Sequence, residues 1–330
     1  MTLRNFLFIG AVTALVLIPS CKKKDEETTV DPYLDGALYF DMPMFVHIGD
    51  EFTLVPSGVT NPTTGNVGYY WYPSWDASSK DTTKTETGLG DGSWSFTVPN
   101  EIGNYYVTGF AFAKDYSNLS KTHSFVAVDP TVNVTVTGAS YQLDSLTLED
   151  PRDGATYYLA TSGGNVWMQN NLYYQGSGVS YENSPVMDKL FGRMYTWEEA
   201  VKACPEGWHL PSDAEFALLA GSGCKPGENF VDAAGSLMAD VSFIGTKMWA
   251  FWPDVTITNK SKFSAIPVGY AVDQEGRQKF VGTNSYATFW TSDGDDETGL
   301  YRYMYVDKST VFFAHGDKKS FRASVRCVKD

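Results

Sequence analysis

Hydrophobic and polar residues alternate in short runs through the first part of the chain. The stretches GDEFTLVPSG, GYYWYPSW, SWSFTVPN, GNYYVTGFAFA and HSFVAVDPTVNVTV lie between residues 49 and 136, divided by Gly, Pro, Asn and Asp turns. Runs of this kind read as strands. Tyr105 and Val107 fall on one side of their strand, Tyr106 and Thr108 on the other. Short strands at this spacing predict an all-β, immunoglobulin-like sandwich over residues 34–137. No cysteine occurs in this span, so its core must hold by packing alone.

From residue 138 onward the pattern becomes mixed α and β. Thr196-Trp197-Glu198-Glu199 and Ser212-Asp213-Ala214-Glu215 are two capping boxes, in which a hydroxyl and a glutamate reciprocally satisfy the free N–H groups of a helix start. Behind the first, Trp197, Ala200, Val201 and Cys204 recur at i, i+3, i+4 and i+7, one buried face. Behind the second, Phe216 and Leu219 continue inward, with Leu218 beside them. Leu300–Val306, Thr310–His315 and Ser320–Val328 read as a meander of three strands. In the last of these, Phe321, Ala323, Val325 and Cys327 point one way and Arg322, Ser324 and Arg326 the other.

The N-terminus changes the picture of location. Phe6 to Ile18 is almost wholly apolar, too short to span a bilayer, and reads as a signal core. Ser20-Cys21 after it resembles a bacterial lipobox, which implies lipidation of Cys21 and a signal peptide of residues 1–20. Residues 21–33 are polar and read as a flexible tether. The Lys-rich then acidic start of that tether resembles the export tag of Bacteroidetes-type lipoproteins. These features imply an outer-membrane, lipid-anchored, surface-exposed protein. The net charge of −14 repels phosphate backbones and argues against nucleic acid as a partner.

An exported chain sits in a disulfide-permissive compartment. Its cysteines are Cys21, Cys204, Cys224 and Cys327. Cys204 and Cys327 both face the core, on a helix and a terminal strand, which favours a bridge between them. The rival is a reactive Cys204 with His209 as its base. A reactive thiolate needs a polar, exposed setting, and the apolar face beside Trp208 argues against one. His209 is then expected to be a core histidine with both nitrogens satisfied. Cys224 has no evident partner.

FGRMYTWEEAVKACPEGWHLPSDAEFALL, FSAIPVGY, FWTS, YRYM and SVRCVKD, in that order, resemble the Fibrobacter succinogenes major paralogous domain family. Upstream, DPRDGATYYLATSGGNVWMQNNLYY is similar to the start of that family's domain. The layout, a helix and a final strand each bearing a cysteine, is also similar to C-type lectin domains. The resemblance implies an α+β, C-type-lectin-like domain over residues 138–330. In the first unit, Tyr70-Trp71 and Gly103-Asn104-Tyr105-Tyr106-Val107 resemble PKD-type domains.

Catalytic signatures are missing from the sequence. There is no HExxH, no Gly-x-Ser-x-Gly, no P-loop and no Rossmann glycine pattern. The four histidines show no ligand spacing and there is no Cys-x-x-Cys. Two features suit binding. Asp293, Asp295, Asp296 and Glu297 cluster on a Gly-containing turn after Trp290, as a Ca²⁺ site would require; the alternative is a solvated acidic turn. The rings of Trp249, Trp252, Tyr270, Trp290 and Tyr301 suit a sugar face or a protein partner; the alternative is that they fill a loop-rich core. The expectation is a non-catalytic surface protein that recognises glycan or protein ligands, in adhesion or nutrient capture. Its rivals are a pilus or surface structural subunit and a polysaccharide-acting enzyme.

Overall fold

The structure is a computed structural model that describes residues 31–63, 65–76, 92–129, 146–249 and 255–330. The signal segment, Cys21, the boundary at 138 and Trp252 lie outside the described residues. The described chain is predominantly β, built from several sheets.

Strands β1 (Phe45–His47), β2 (Glu51–Leu54), β3 (Gly68–Pro73), β4 (Trp94–Thr97), β5 (Gly103–Phe112) and β6 (Leu119–Val128) make the N-terminal layers. One sheet has the order β1-β6-β5-β3, and β2 pairs with β4. β1 runs parallel to β6 and the other pairs are antiparallel. The period of two sorts the side chains. Val107, Ala111, Phe125 and Ala127 point inward with Trp71 and Leu54. Phe40 meets the Trp71 ring edge-on at 5.0 Å. Gly109 makes room for that indole, since a Cβ there would lie 2.8 Å from it. Each large side chain buried this way contributes roughly 1.5–3 kcal/mol, so the layers cohere without a disulfide.

The C-terminal unit, the head, begins with β7 (Thr147–Glu149), β8 (Thr156–Ser162) and β9 (Asn165–Met168). Helix α1 (Trp197–Ala203), β10 (Trp208–His209) and helix α2 (Asp213–Ala220) follow. The rest comprises β11 (Tyr270–Gln274), β12 (Arg277–Val281), β13 (Tyr286–Gly294), β14 (Thr298–Tyr305), β15 (Val311–Asp317), β16 (Phe321–Arg322) and β17 (Val328–Lys329). Their sheets run β10-β17-β9-β8-β7, β12-β11-β16 and β13-β14-β15. The last strand therefore lies between two early ones, with Trp167 opposite Val328.

Both capping boxes form as the sequence predicts. The helix faces differ from the simple period. Ala200 and Ala203 are buried, while Val201 and Leu218 are exposed, because each helix spans only about two turns and presents a narrow stripe. The expected strand Ser320–Val328 is broken into β16 and β17. Between them Ala323, Ser324, Val325, Arg326 and Cys327 are all buried. Alternation could not tell inside from outside there, because protein covers both faces.

The two units touch. Phe45 of β1 packs edge-on against Phe191 at 6.0 Å and Phe243 at 5.8 Å of the head. Its N–H donates to Ser184 Oγ at 2.9 Å.

Candidate functional site

The residues that the motifs single out assemble mainly into supports. Arg326 is fully buried and donates to Asn171 Oδ1 at 2.7 Å and to the carbonyls of Met168, Phe263 and Ser264. Arg152 binds Asp150, donates to the Ala203 carbonyl at 2.8 Å, and lies 3.8 Å over the Tyr174 ring. Arg322 holds Asp273 and Glu199, the second also the capping glutamate of α1. Arg302, at the centre of YRYM, is buried against Asp213 at 2.5 and 2.8 Å. These arginines tie loops to helix ends rather than facing a ligand.

Cys204 and Cys327 are bridged, with their Cα atoms 5.8 Å apart. Cys224 is a free thiol packed at the edge of the larger core cluster. Burial pushes its thiol up, the opposite of what a nucleophile needs. His209 has both ring nitrogens satisfied, Nδ1 by Asp330 at 2.7 Å and Nε2 by Glu215 at 3.0 Å. Its side chain is 41% exposed, so it is a surface clip and not a core histidine.

Partial burial pulls the His209 pKa down, but the hydrogen bonds to Asp330 and Glu215 outweigh it and hold the imidazolium above its ordinary value. A raised folded pKa stabilises the protein fully below about 6.5, the unfolded value, and that contribution fades as pH rises through the folded pKa. Solvent limits it to about 1 kcal/mol or less. The melting temperature of the wild type, relative to His209→Gln, should fall as pH rises from 6 to 8. A constant difference would contradict this clip.

The acidic turn is engaged within itself. Asp293 accepts the Asp213 N–H at 2.6 Å, and Asp295 accepts from the N–H groups of Glu297 and Thr298 and from the Thr298 hydroxyl. These bonds hold the Asp295 carboxyl down at about 2. Among the described residues no group of three or more metal-ligand side chains converges, so Asp293, Asp295, Asp296 and Glu297 do not form a Ca²⁺ cage.

Trp249 and Trp290 have no exposed surface. Trp249 donates to the Ala265 carbonyl, and Trp290 donates to the Tyr195 carbonyl at 2.8 Å. Neither offers a ring face to a ligand; both fill the core. Tyr270 and Tyr301 are half-buried and belong to a larger array. On β14 the alternation buries Leu300, Arg302 and Met304 and turns Tyr301, Tyr303 and Tyr305 outward. Cross-strand register adds Tyr286 beside Tyr305 and Phe312 beside Tyr303. Tyr303 stacks on Phe312 at 5.3 Å, and Phe321 bridges Tyr301 at 4.6 Å and Tyr270 at 5.2 Å. Gly316 permits this closure, because a Cβ there would lie 2.8 Å from Phe321. Trp290 supports the array edge-on from beneath.

None of the five tyrosine hydroxyls has a hydrogen-bond partner among the described residues. Burial raises the Tyr286 and Tyr301 phenols, so both remain neutral donors at physiological pH. The array is a rigid surface of ring faces with free hydroxyls at its rim. Tyr286, Tyr303, Tyr305 and Phe312 escaped the sequence reading, and Phe321 was read on the core-facing side of its strand. For Tyr303 and Tyr305 the signal was the period-two repeat of YRYMY, whose outward phase no neighbour in sequence reveals.

The model of the Fibrobacter succinogenes major domain matches residues 161–329, just over half of the chain. The chain belongs to this family. Within its Fibrobacter major domain, the arginines of YRYM and SVRCVKD, Arg302 and Arg326, are structural, and the tyrosines that flank Arg302 form the exposed face. The DPRDG segment precedes the matched region yet packs on the end of α1. No curated protein matches the chain. Among solved structures, the adhesin InvE of Yersinia pseudotuberculosis aligns over 90% of this chain and 70% of its own at 10% identity and a TM-score of 0.25. A score this low does not establish a shared fold.

Proposed function

We propose that this protein is a lipid-anchored surface receptor whose Fibrobacter major domain binds glycan or protein ligands through the tyrosine face, without catalysis. The observation that carries this reading is the array of Tyr286, Tyr301, Tyr303 and Tyr305 on one sheet face, joined by Tyr270 of the neighbouring sheet, with unengaged hydroxyls. Rings of this kind offer an apolar face and a polar tip, the two things a sugar or a protein surface meets. The immunoglobulin- and PKD-like first unit acts as a spacer, and the head carries a C-type-lectin-like arrangement in which its ends meet. Cys21 carries the lipid, and residues 21–33 tether the molecule to the outer membrane. Among the described residues no helix is long and apolar enough to cross a membrane.

A glycan array and a surface-protein pull-down with the full chain test this. At least one ligand class should be captured, and Tyr303→Ala should weaken capture about tenfold, equivalent to about 1.4 kcal/mol. The melting temperature should barely change, since Tyr303 is half-exposed. Clean results on both screens, or capture indifferent to Tyr303→Ala, would sink the reading.

A further inference from the structure

The head also carries an open cleft of about 610 Å³, within the range of roughly 300–1,000 Å³ typical of small-ligand sites. One wall is the turn at Glu182. Glu182 and Asn183 both adopt left-handed backbone, φ 46° and 54°, which is strained for non-glycine residues. The turn persists because it is pinned. The Glu182 carbonyl accepts from Met44 N–H at 3.4 Å and Ser184 Oγ at 3.0 Å. Ser184 Oγ in turn accepts the Phe45 N–H. The strand from the first unit thus fixes where the Glu182 side chain stands.

That side chain is half-buried and has no hydrogen-bond or ion-pair partner among the described residues. Burial alone pushes its carboxyl above the usual range. Across the cleft the β11–β12 hairpin supplies Gln274, Glu275, Arg277, Gln278, Lys279 and Phe280. Gln274, Gln278 and Lys279 likewise lack side-chain partners among the described residues. Phe280 is held edge-on to Tyr181 at 5.2 Å, and the Tyr181 hydroxyl is bonded to Thr283 at 2.6 Å.

We infer that this cleft is a binding site for a neutral saccharide of one or two rings, with Glu182 accepting from its hydroxyls. The lining mixes the acceptor-only carboxylates of Glu182 and Glu275 with donor-only cations and amides that do both. A sugar hydroxyl donates and accepts at once, so one ligand chemistry satisfies all three. A neutral ligand brings no second charge to desolvate, and Phe280 offers a ring for an apolar sugar face. The site is separate from the tyrosine face and does not rest on that assignment.

Saturation-transfer NMR on the full chain, with cellobiose, mannobiose and N,N′-diacetylchitobiose as probes, tests this. At least one disaccharide should receive magnetisation. Glu182→Gln and the hairpin variant Gln278→Ala should each weaken that binding about tenfold, and Leu218→Ser, on the exposed side of α2 away from the cleft and the tyrosine face, should leave it unchanged. The inference is overturned if no disaccharide binds, if binding survives both cleft variants, or if Leu218→Ser abolishes it. Binding of a zwitterionic dipeptide in place of every sugar would also overturn it.

Discussion

Replacing Arg302 with methionine should destabilise the head by about 3–5 kcal/mol, the usual cost of removing one partner from a buried ion pair. Arg302 has no exposed surface and Asp213 only 3%. The guanidinium meets both carboxylate oxygens, donates to the Glu228 carbonyl at 2.6 Å, and lies 3.6 Å over the Phe230 ring. Methionine keeps most of the volume, so the loss isolates the charge. Asp213 would be left without its ion-pair partner in a dry site, and the Glu228 carbonyl would lose its donor. Asp213 also accepts the Gly227 N–H at 2.7 Å, so the damage spreads from β14 through the loop at 227–230 to the start of α2. For a domain of this size the melting temperature should drop by about 10 °C or more. Adding Asp213→Leu removes the stranded charge, and the double variant should lose less than the two single losses summed, by about 0.5–3 kcal/mol. Denaturant unfolding of the three variants measures this. A single-variant loss below about 1 kcal/mol, or strict additivity, would show that the pair does not hold the loop.

The same pair shows what the sequence conveys and what it does not. The capping boxes at Thr196 and Ser212 were legible because their partners lie three residues apart. The strands of the first unit were legible because alternation with one wet face has a period of its own. The Cys204–Cys327 bridge was legible because the helix period turned Cys204 inward and an exported chain favours pairing, although Cys327 lies in a segment buried on both sides between β16 and β17. Arg302 was not legible as a core residue, since nothing near it in sequence announces Asp213, 89 residues away. Arg326 was read as facing opposite to Cys327, which is true, but that side proved to be a second interior lined by the Phe263 and Ser264 carbonyls. The aromatic candidates divided for a related reason. Trp249 and Trp290 were chosen for ring size, and size favours burial. Tyr301 shares a face with three further tyrosines only through the pairing of β13 and β14, and Tyr270 reaches them only because its sheet packs alongside, through Tyr286 and Phe321; neither register nor packing is written locally. The acidic turn looked like a cation site because composition counts carboxylates, whereas Asp293 and Asp295 are occupied by backbone N–H groups that composition does not show.

Removing the disulfide by the double change Cys204→Ala and Cys327→Ala should lower stability by about 2–5 kcal/mol. The bond links residues 123 apart in sequence, and the chain-entropy model assigns roughly 4–5 kcal/mol to a loop of that order. The surrounding contacts determine which state feels the change. Arg152 still holds the Ala203 carbonyl, the Cys327 carbonyl still accepts the Met168 N–H at 3.1 Å, and β17 stays paired with β9 and β10. The native arrangement at the end of α1 therefore survives without the sulfurs, and the effect acts on the unfolded chain, which regains the freedom the bridge had removed. The double variant should accordingly keep the native circular dichroism and near-ultraviolet signal while its denaturation midpoint falls. Single variants are a poorer test, because they leave one thiol that an oxidant could pair with Cys224 or with another molecule. Reduction of the wild type under native conditions should be slow, since Cys327 is fully buried, and should become fast only where the head unfolds. A double variant as stable as the wild type would mean that the packing around α1 and β17 already restrains the unfolded chain. Loss of native signal at neutral pH would mean instead that the bridge holds the native arrangement in place.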